Sequence, residues 1–272
     1  MSKIELDKYY TPKELAKYCI DKTYEVINKQ NITEIIEPSA GNGSFSSQIK
    51  NCIAYDIEPE RENIIKQDFL ELNLDYKEGR LIIGNPPYGK TGKGSVRFFN
   101  KAVNICDYIA FILPITQLNN NYDFYKFDFI HSEDLGVHKY SNRELHCCLN
   151  IYKRPTNGEL NKREIYKLND VEIMDYQRTR KTTHERTTKE KFNYDIRICG
   201  YGSGILGKEV EYEGQYIREI CFKINNELYK DRVLEIIKNA NWEKVCNGMS
   251  GQIGMAQWRL YKYIKEQIPE IN

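Results

Sequence analysis

The segment Asn85-Pro86-Pro87-Tyr88 combines residue types that can recognise a planar amino group. It follows the apolar run 80–84, which has the composition of a buried strand. The two prolines fix the backbone and leave the preceding carbonyl groups without local donors. The Asn85 amide oxygen and the Pro86 carbonyl can then accept both hydrogens of an –NH₂ group, and the Tyr88 ring can stack on the base that carries it. The alternative interpretation is a rigid turn without chemistry.

A second candidate is the glycine-containing stretch EPSAGNGSF, residues 37–45. Gly41 and Gly43 allow a tight turn and a close approach of the backbone to a ligand. The third glycine of the dinucleotide-binding fingerprint is absent. Glu37 would repel a pyrophosphate but suits a ligand that carries an ammonium or a sulfonium. Taken alone, the stretch is equally compatible with an ordinary turn between a strand and a helix.

Two acidic residues follow later apolar runs. Asp56 lies in the run 52–57, roughly twenty residues after the start of the glycine turn, where doubly wound folds place the acid that binds ribose hydroxyls. Its neighbour Ile57 can pack against an adenine ring. Asp68 and Phe69 follow the run 64–67 and offer an acceptor for an adenine amine and an aromatic surface. A helix cap is the alternative role for Asp68.

These residues need a scaffold, and the first half of the chain alternates strand-like and helix-like segments, as in a parallel sheet covered by helices. The first helix is expected to begin with a capping box of Thr11 and Glu14, with Pro12 at its first position, and to continue to about residue 28. Strands are predicted at 34–37, 52–57, 64–67, 80–84, 108–113 and 147–152, and further helices at 44–49, 96–105 and 118–127.

The character of the chain changes at 153–155. The segment 177–191, QRTRKTTHERTTKEK, is basic and rich in threonine. Strands are predicted beyond it at 194–199 and 216–224, and helices at 227–239 and 256–265. The pattern indicates a second, smaller α+β domain over 155–272.

Charge and hydropathy exclude some classes of protein. The formal net charge of +1 gives no information about the kind of partner, so a nucleic-acid site would have to be a local basic patch. The longest apolar run, 105–115, contains Asp107 and Pro114 and does not reach the length of a membrane span. Residues 1–5 lack the apolar stretch of a signal peptide, which predicts a cytoplasmic protein without membrane contact.

The cysteines predict buried thiols in a reducing compartment. None of the eight forms a C-x-x-C pair. Cys147 and Cys148 follow His146, but a second ligand pair is missing nearby, so no metal is expected.

The motifs EPSAGNG, YDIEP, QDFL and NPPY, in this order, resemble those of the N6-adenine methyltransferases. KYYTPKELAKYC, residues 8–19, resembles the cofactor-binding segment of the gamma-type group, in which a target-recognition domain follows the catalytic domain. FFNKAVN and YIAFILP are similar to the helix and strand that follow NPPY in that family. The resemblance covers roughly residues 8–152.

The resemblance implies a Rossmann-like class I methyltransferase domain over 1–154, with a seven-stranded, mostly parallel sheet, followed by a DNA-binding target-recognition domain over 155–272. It implies S-adenosyl-L-methionine as cofactor. The target adenine would contact Asn85, Pro86, Pro87 and Tyr88. The cofactor residues implied are Tyr10, Thr11 and Pro12 as a cover, Glu37, Pro38, Ala40, Gly41 and Gly43 for the methionine end, Asp56 for the ribose, and Ile57, Asp68 and Phe69 for the adenine.

The activity implied is site-specific methylation of an adenine flipped out of duplex DNA, in a restriction system or as an orphan or phage enzyme. RNA adenine and a protein glutamine side chain are alternative substrates, although glutamine methyltransferases usually carry an accessory domain before the glycine motif. A binding module without catalysis is a further alternative, but it would not need the cofactor positions. The family often supplies a second aromatic face for the base, for which Tyr140 is the candidate here.

The basic segment generates a prediction. It contains six basic and two acidic residues, and it is either a solvated loop or a DNA-facing loop in which Arg178, Arg180 and Lys181 meet phosphates or base edges. If these side chains contact phosphates, replacing all three with Ala should flatten the slope of log affinity against log salt by about one unit per lost contact. Parent-like binding at every salt concentration would indicate a solvated loop, and an unchanged slope with relaxed site preference would indicate base reading.

Overall fold

The computed structural model describes residues 9–89, 93–141, 143–164, 166–177, 192–212, 214–246 and 255–272. The chain divides into two compact units, Met1–Arg163 and Glu164–Asn272. The division falls shortly after the compositional change at 153–155. Arg178, Arg180 and Lys181 lie outside the described residues, so the role of the basic segment stays a prediction.

Within the described part of the first unit, seven strands form one sheet. In chain order they are β1 (Glu34–Glu37), β2 (Ile53–Asp56), β3 (Ile65–Lys66), β4 (Arg80–Gly84), β5 (Tyr108–Pro114), β6 (Asp128–Tyr140) and β7 (Arg143–Lys153). Their order across the sheet is β3-β2-β1-β4-β5-β7-β6. The pairs from β3 to β5 are parallel, whereas β7 runs antiparallel to both β5 and β6. The predicted mostly parallel sheet with one antiparallel strand is confirmed.

The central strands β4 and β5 are covered on both faces, which explains their continuous apolar sequence. Helix α1 (Lys13–Ile27) buries Leu15, Cys19 and other apolar residues in a cluster with Leu81 and Ile83 of β4. Helix α2 (Lys93–Ala102) contributes Phe99, whose ring contacts aromatic side chains beyond β5. The sheet is therefore rigidly held, and its strand ends are well placed to carry a site.

Parallel pairing brings the ends of three strands to one edge of the sheet. Glu37 is paired with Ala54, so β1 and β2 end at the same level. Ile36 is paired with Ile82, so Asn85, just after β4, follows at that edge too. The carboxyl edge of a doubly wound sheet is where ligands bind in such folds.

The predicted helix at 44–49 is wrong. A single 3-10 turn, Ser46–Gln48, takes its place, and the chain reverses at Asn51, which has a φ of 61°. The Gln48 side chain donates hydrogen bonds to the carbonyls of Lys13 and Ser44. Turns at 41–45 and the reversal at Asn51 take up most of the connection from β1 to β2, so only the 3-10 turn remains between them.

The predicted helix at 118–127 is also wrong. A 3-10 turn at Ile115–Gln117 is followed by turns, with Asn119 at a φ of 50°. The Asn120 side chain accepts a hydrogen bond from the Tyr122 N–H, in place of the backbone carbonyl that would accept it in a helix. Phe124 of this segment packs on Phe99 with 5.1 Å between ring centroids, so the segment is held by ring contacts rather than by helical hydrogen bonds.

The predicted capping box does not form. Helix α1 begins at Lys13 with Pro12 at the N-cap, and no side chain caps it. Thr11 is buried, and its hydroxyl accepts a hydrogen bond from Asn85 instead. Glu14 lies exposed in the first turn.

Two strands have no counterpart among the sequence predictions. β6 is a polar edge strand with two register shifts, and such a strand lacks the apolar run that marks a buried one. In the second unit, β8 (Val171–Gln177) pairs antiparallel with β10 (Arg218–Ile224), which also pairs with β9 (Ile196–Cys199). Alternation of apolar and polar residues in β8 was the available signal.

The second unit packs helices on this three-stranded sheet. They are α3 (Lys230–Asn239), α4 (Trp242–Val245) and α5 (Gln257–Gln267). Phe222, Val233 and Ile264 share its apolar core. An ion pair between Arg197 and Glu219 is buried within the sheet. The unit has the α+β architecture expected.

In the part of the chain that the structure describes, no helix is long and apolar enough to cross a membrane. None of the eight cysteines, all of which the structure describes, forms a disulfide, and Cys147 and Cys148 are fully buried. His146 contacts Asp134. Among the described residues, no three His, Cys, Asp or Glu side chains are grouped as a metal site requires.

Candidate functional site

A cavity of about 390 Å³ opens at the carboxyl edge of β1, β2 and β4. This volume falls in the range of small-molecule sites. Of the predicted residues, Pro12, Gly43, Pro86 and Tyr88 are not part of its wall. The predicted residues that line it are Tyr10, Thr11, Glu37, Pro38, Ala40, Gly41, Asp56, Ile57, Asp68, Phe69, Asn85 and Pro87.

The floor of the cavity is the turn after β1. Gly41 has a φ of 51°, and a Cβ there would lie 2.8 Å from Cε1 of Tyr10. The turn therefore requires glycine on two grounds, backbone conformation and space. The Tyr10 hydroxyl donates a hydrogen bond to Glu60, which holds the ring over the turn.

Asp56 connects the ends of β1 and β2. Its Oδ2 accepts the Gly41 N–H at 2.7 Å and its Oδ1 accepts the Glu58 N–H at 2.8 Å. A carboxylate has about four lone-pair sites, so capacity for a ligand hydroxyl remains. The structure thus assigns Asp56 a structural role in addition to the predicted ribose contact.

Glu37 is a buried carboxyl at the cavity wall, only 2% exposed. Its Oε2 accepts the Ser46 N–H at 2.8 Å. Burial raises the pKa of Glu37 to about 7, and the nearby Asp56 carboxylate adds to the rise, against the opposing bond from Ser46. A cationic ligand group beside Glu37 would favour its ionised form.

The Asn85 amide lies at the other end of the wall. Its Nδ2 donates to the Tyr9 carbonyl and to Oγ1 of Thr11, both at 3.2 Å. Its Oδ1 is buried, and no described residue donates to it. An unsatisfied buried acceptor costs about 1–3 kcal/mol, which a ligand donor would recover.

The aromatic residues predicted for the target base are placed differently. The Tyr88 hydroxyl lies 3.5 Å from Sγ of Cys147, and burial raises the pKa of Tyr88 well above its ordinary value. Tyr140 is fully buried in the core cluster of α1. Tyr9, in contrast, lines the cavity and adjoins Asn85.

At the far end of the cavity, Phe69 stacks on Phe98 with 5.4 Å between ring centroids. Asp68 Oδ1 accepts the Leu70 N–H at 2.8 Å, so it caps the turn that follows β3 while it also lines the cavity. Ile57 is 48% exposed there. An apolar ring with polar edges would be accommodated by this set.

Several lining residues were missed by the sequence reasoning. Arg97 and Phe98 belong to α2, and Gly94 lies one turn earlier. A Cβ on Gly94 would overlap the Pro87 carbonyl oxygen and lie 2.9 Å from the carbonyl carbon of Tyr88. The Gly94 N–H also donates to the Tyr88 carbonyl at 2.9 Å. The glycine so soon after NPPY was the signal for this contact.

Comparison with known proteins returns structural likeness alone. No protein-family model and no curated protein matches the chain. A presumed RNA methyltransferase from Pyrococcus horikoshii is similar at a TM-score of 0.46 and 17% identity, over 57% of this chain and 90% of that one. A presumed class I S-adenosylmethionine-dependent methyltransferase from Listeria monocytogenes is similar at a TM-score of 0.45 and 12% identity, over 59% of this chain and 65% of that one. The 23S rRNA methyltransferase ErmE is similar at a TM-score of 0.38 and 13% identity, over 55% of this chain and 70% of that one.

Because all three TM-scores are below 0.5, the fold assignment rests on the sheet itself. The order β3-β2-β1-β4-β5-β7-β6 with an antiparallel β7 is that of the Rossmann-like class I methyltransferase fold, as predicted.

The contact of Gly94 with the NPPY segment yields a prediction. Gly→Ala within a helix normally stabilises by about 0.5–1 kcal/mol. Gly94→Ala should instead destabilise the protein by about 1–3 kcal/mol, because the new methyl group meets backbone atoms. Denaturant unfolding measures the difference, with Lys93→Ala as the neighbouring exposed control. A more stable Gly94→Ala variant would show that the segment does not pack against α2 in this way.

Proposed function

We propose that the chain is an S-adenosyl-L-methionine-dependent methyltransferase that methylates the N6 amine of adenine in DNA. The observation that carries the proposal is the buried Asn85 Oδ1, an acceptor to which none of the described residues donates, on a residue that lines the cavity. An exocyclic amine supplies the missing donor. The sequence motifs and the fold agree with this chemistry.

The cavity fits the cofactor. The glycine turn at Gly41 lets the Tyr10 ring lie directly on the backbone, so the turn and the ring together form one part of the cavity wall. Glu37 would face the ammonium of the methionine end, and remaining acceptor capacity on Asp56 would hold the ribose. Ile57, Asp68 and Phe69 would contact the adenine. When bound, S-adenosyl-L-methionine supplies an electrophilic methyl group on a sulfonium.

The protein must turn a poor nucleophile into a better one. The lone pair of the adenine amine is delocalised into the purine ring. The motif assigns acceptance of its two hydrogens to the Asn85 Oδ1 and the Pro86 carbonyl; Asn85 lines the cavity, whereas Pro86 is not part of its wall. Acceptance by both groups would favour a pyramidal nitrogen with a localised lone pair. The proton can leave after transfer, so no strong base is required of the segment. Most of the acceleration then comes from alignment and from these fixed acceptors.

Access to the amine in duplex DNA requires the base to leave the stack, which costs a few kcal/mol. Aromatic stacking worth about 1–3 kcal/mol per base would offset part of this cost. Tyr88 is the residue that the motif assigns to that stacking, and Tyr9 is a second ring beside Asn85. DNA is favoured over RNA because the motif order resembles that of the gamma-type DNA enzymes, and a nucleic acid is favoured over a protein because a basic segment follows the catalytic unit.

Asn85 provides the first test of the proposal. Asn85→Ala should lower methyl transfer by at least about a hundredfold and leave cofactor affinity within a few-fold, because the lost hydrogen bond belongs to the transition state. The rate is measured as transfer of labelled methyl groups to DNA whose adenines are unmethylated at the start. Calorimetry measures the affinity for the cofactor. RNA and glutamine-containing protein substrates run in parallel identify the acceptor class.

Asn100→Ala is the control variant, since Asn100 lies on α2 outside the cavity wall. Near-normal turnover by Asn85→Ala would contradict the role of Asn85. A parent protein that methylates only RNA or protein would replace the proposed substrate.

The raised pKa of Glu37 generates a pH prediction. Because the carboxyl ionises only near pH 7, and a ligand ammonium favours the ionised form, cofactor affinity should rise as pH increases. Between about pH 6 and pH 7.5, below the range of about 7.7–8.0 in which an α-amino group loses its proton, the gain should be about five- to tenfold. Calorimetry checks this. Glu37→Gln should bind more weakly and with little pH dependence, and a flat profile in the parent would place the ammonium elsewhere.

A further inference from the structure

The orientation of the Asn85 amide is set by its surroundings. Both hydrogens of Nδ2 are used, one by the Tyr9 carbonyl and one by Oγ1 of Thr11. A backbone carbonyl can only accept, so the atom that faces Tyr9 must be the nitrogen. A half-turn of the amide would place Oδ1 against that carbonyl, acceptor against acceptor. Oδ1 is therefore held where no described residue reaches it.

Thr11 is suited to hold this geometry. It is only 5% exposed, and its hydroxyl does not cap α1, because Pro12 and not Thr11 occupies the N-cap position. Its own carbonyl accepts the Ser44 hydroxyl at 2.7 Å, which fixes the backbone against the turn after β1. The Tyr10 N–H donates to Ser141 at 3.0 Å, and this anchors the segment from the other side.

We propose that Thr11 is a positioning residue for methyl transfer: its hydroxyl and the Tyr9 carbonyl orient the Asn85 amide so that an acceptor faces the substrate. The inference rests on the proposed function. It moves the Thr11 side chain from the cofactor, where the resemblance puts it, to the target amine. It also makes the site selective, because an –NH₂ group can donate to the unsatisfied Oδ1, whereas a carbonyl oxygen in the same place is repelled.

A double-mutant cycle separates this role from a cofactor contact. The variants are Thr11→Val, which keeps the shape and removes the hydroxyl, Thr11→Ser, Asn85→Ala and the pair Thr11→Val with Asn85→Ala. Thr23→Val is the matched control, since Thr23 is buried in α1 and its hydroxyl bonds only within the helix. Methyl transfer to DNA without adenine methylation and calorimetry with S-adenosyl-L-methionine are measured for each.

Thr11→Val should lower kcat about tenfold with cofactor affinity within twofold, and Thr11→Ser should recover most of the rate. In the Asn85→Ala background, Thr11→Val should change the rate by less than twofold, because the group it orients is gone. Equal losses in both backgrounds, or weaker cofactor binding that accounts for the loss, would overturn the inference and leave the proposed function standing. A parent protein that binds the cofactor and methylates no adenine would overturn both.

Discussion

The parallel pairing of β1 with β2 and β4 is the constraint on which the site depends. It aligns the strand ends so that Glu37, Asp56 and Asn85 meet at one edge of the sheet. The bond from the Gly41 N–H to Asp56 then connects the first two ends directly. A one-residue slip of β2 would turn its side chains to the other face, and it would break this bond together with the wall of the cavity.

Two polar groups at the cavity wall are buried in a way that does not favour folding. Glu37 is buried where its charged form is disfavoured, and Asn85 presents a buried acceptor without a donor among the described residues. Both features cost stability in the free protein. Under the proposed function, both would be relieved, Glu37 by the ammonium of the cofactor and Asn85 by the amine of the target base. The same two groups therefore define the orientation in which cofactor and target base would meet.

Residues 9–11, which precede α1, do more than cover the proposed cofactor site. Residues 9–11 contact the glycine turn through Tyr10, the NPPY segment through Thr11 and the β6–β7 hairpin through the Tyr10 backbone. The hairpin also supplies Arg143, which donates to the Tyr9 hydroxyl at 3.0 Å. Segments that are far apart in the chain thus form one wall.

The sequence alone determined the apolar strands β1 to β5 and β7 and half of the residues that line the cavity, because apolar runs that end in glycine, acid or asparagine are local signals. Arg80–Gly84 and Glu34–Glu37 have the bounds predicted for them. Tertiary structure decided what local signals do not contain. Thr11 matched a capping box by spacing, but the nearness of Asn85, far along the chain, engages its hydroxyl instead. Tyr140 was a candidate for the base, but pairing of β6 with β7 buries it. By helix propensity alone, Gly94 is an unfavourable residue within a helix. Only the packed structure shows that this residue must be small, because the backbone of the NPPY segment occupies the space where its side chain would be.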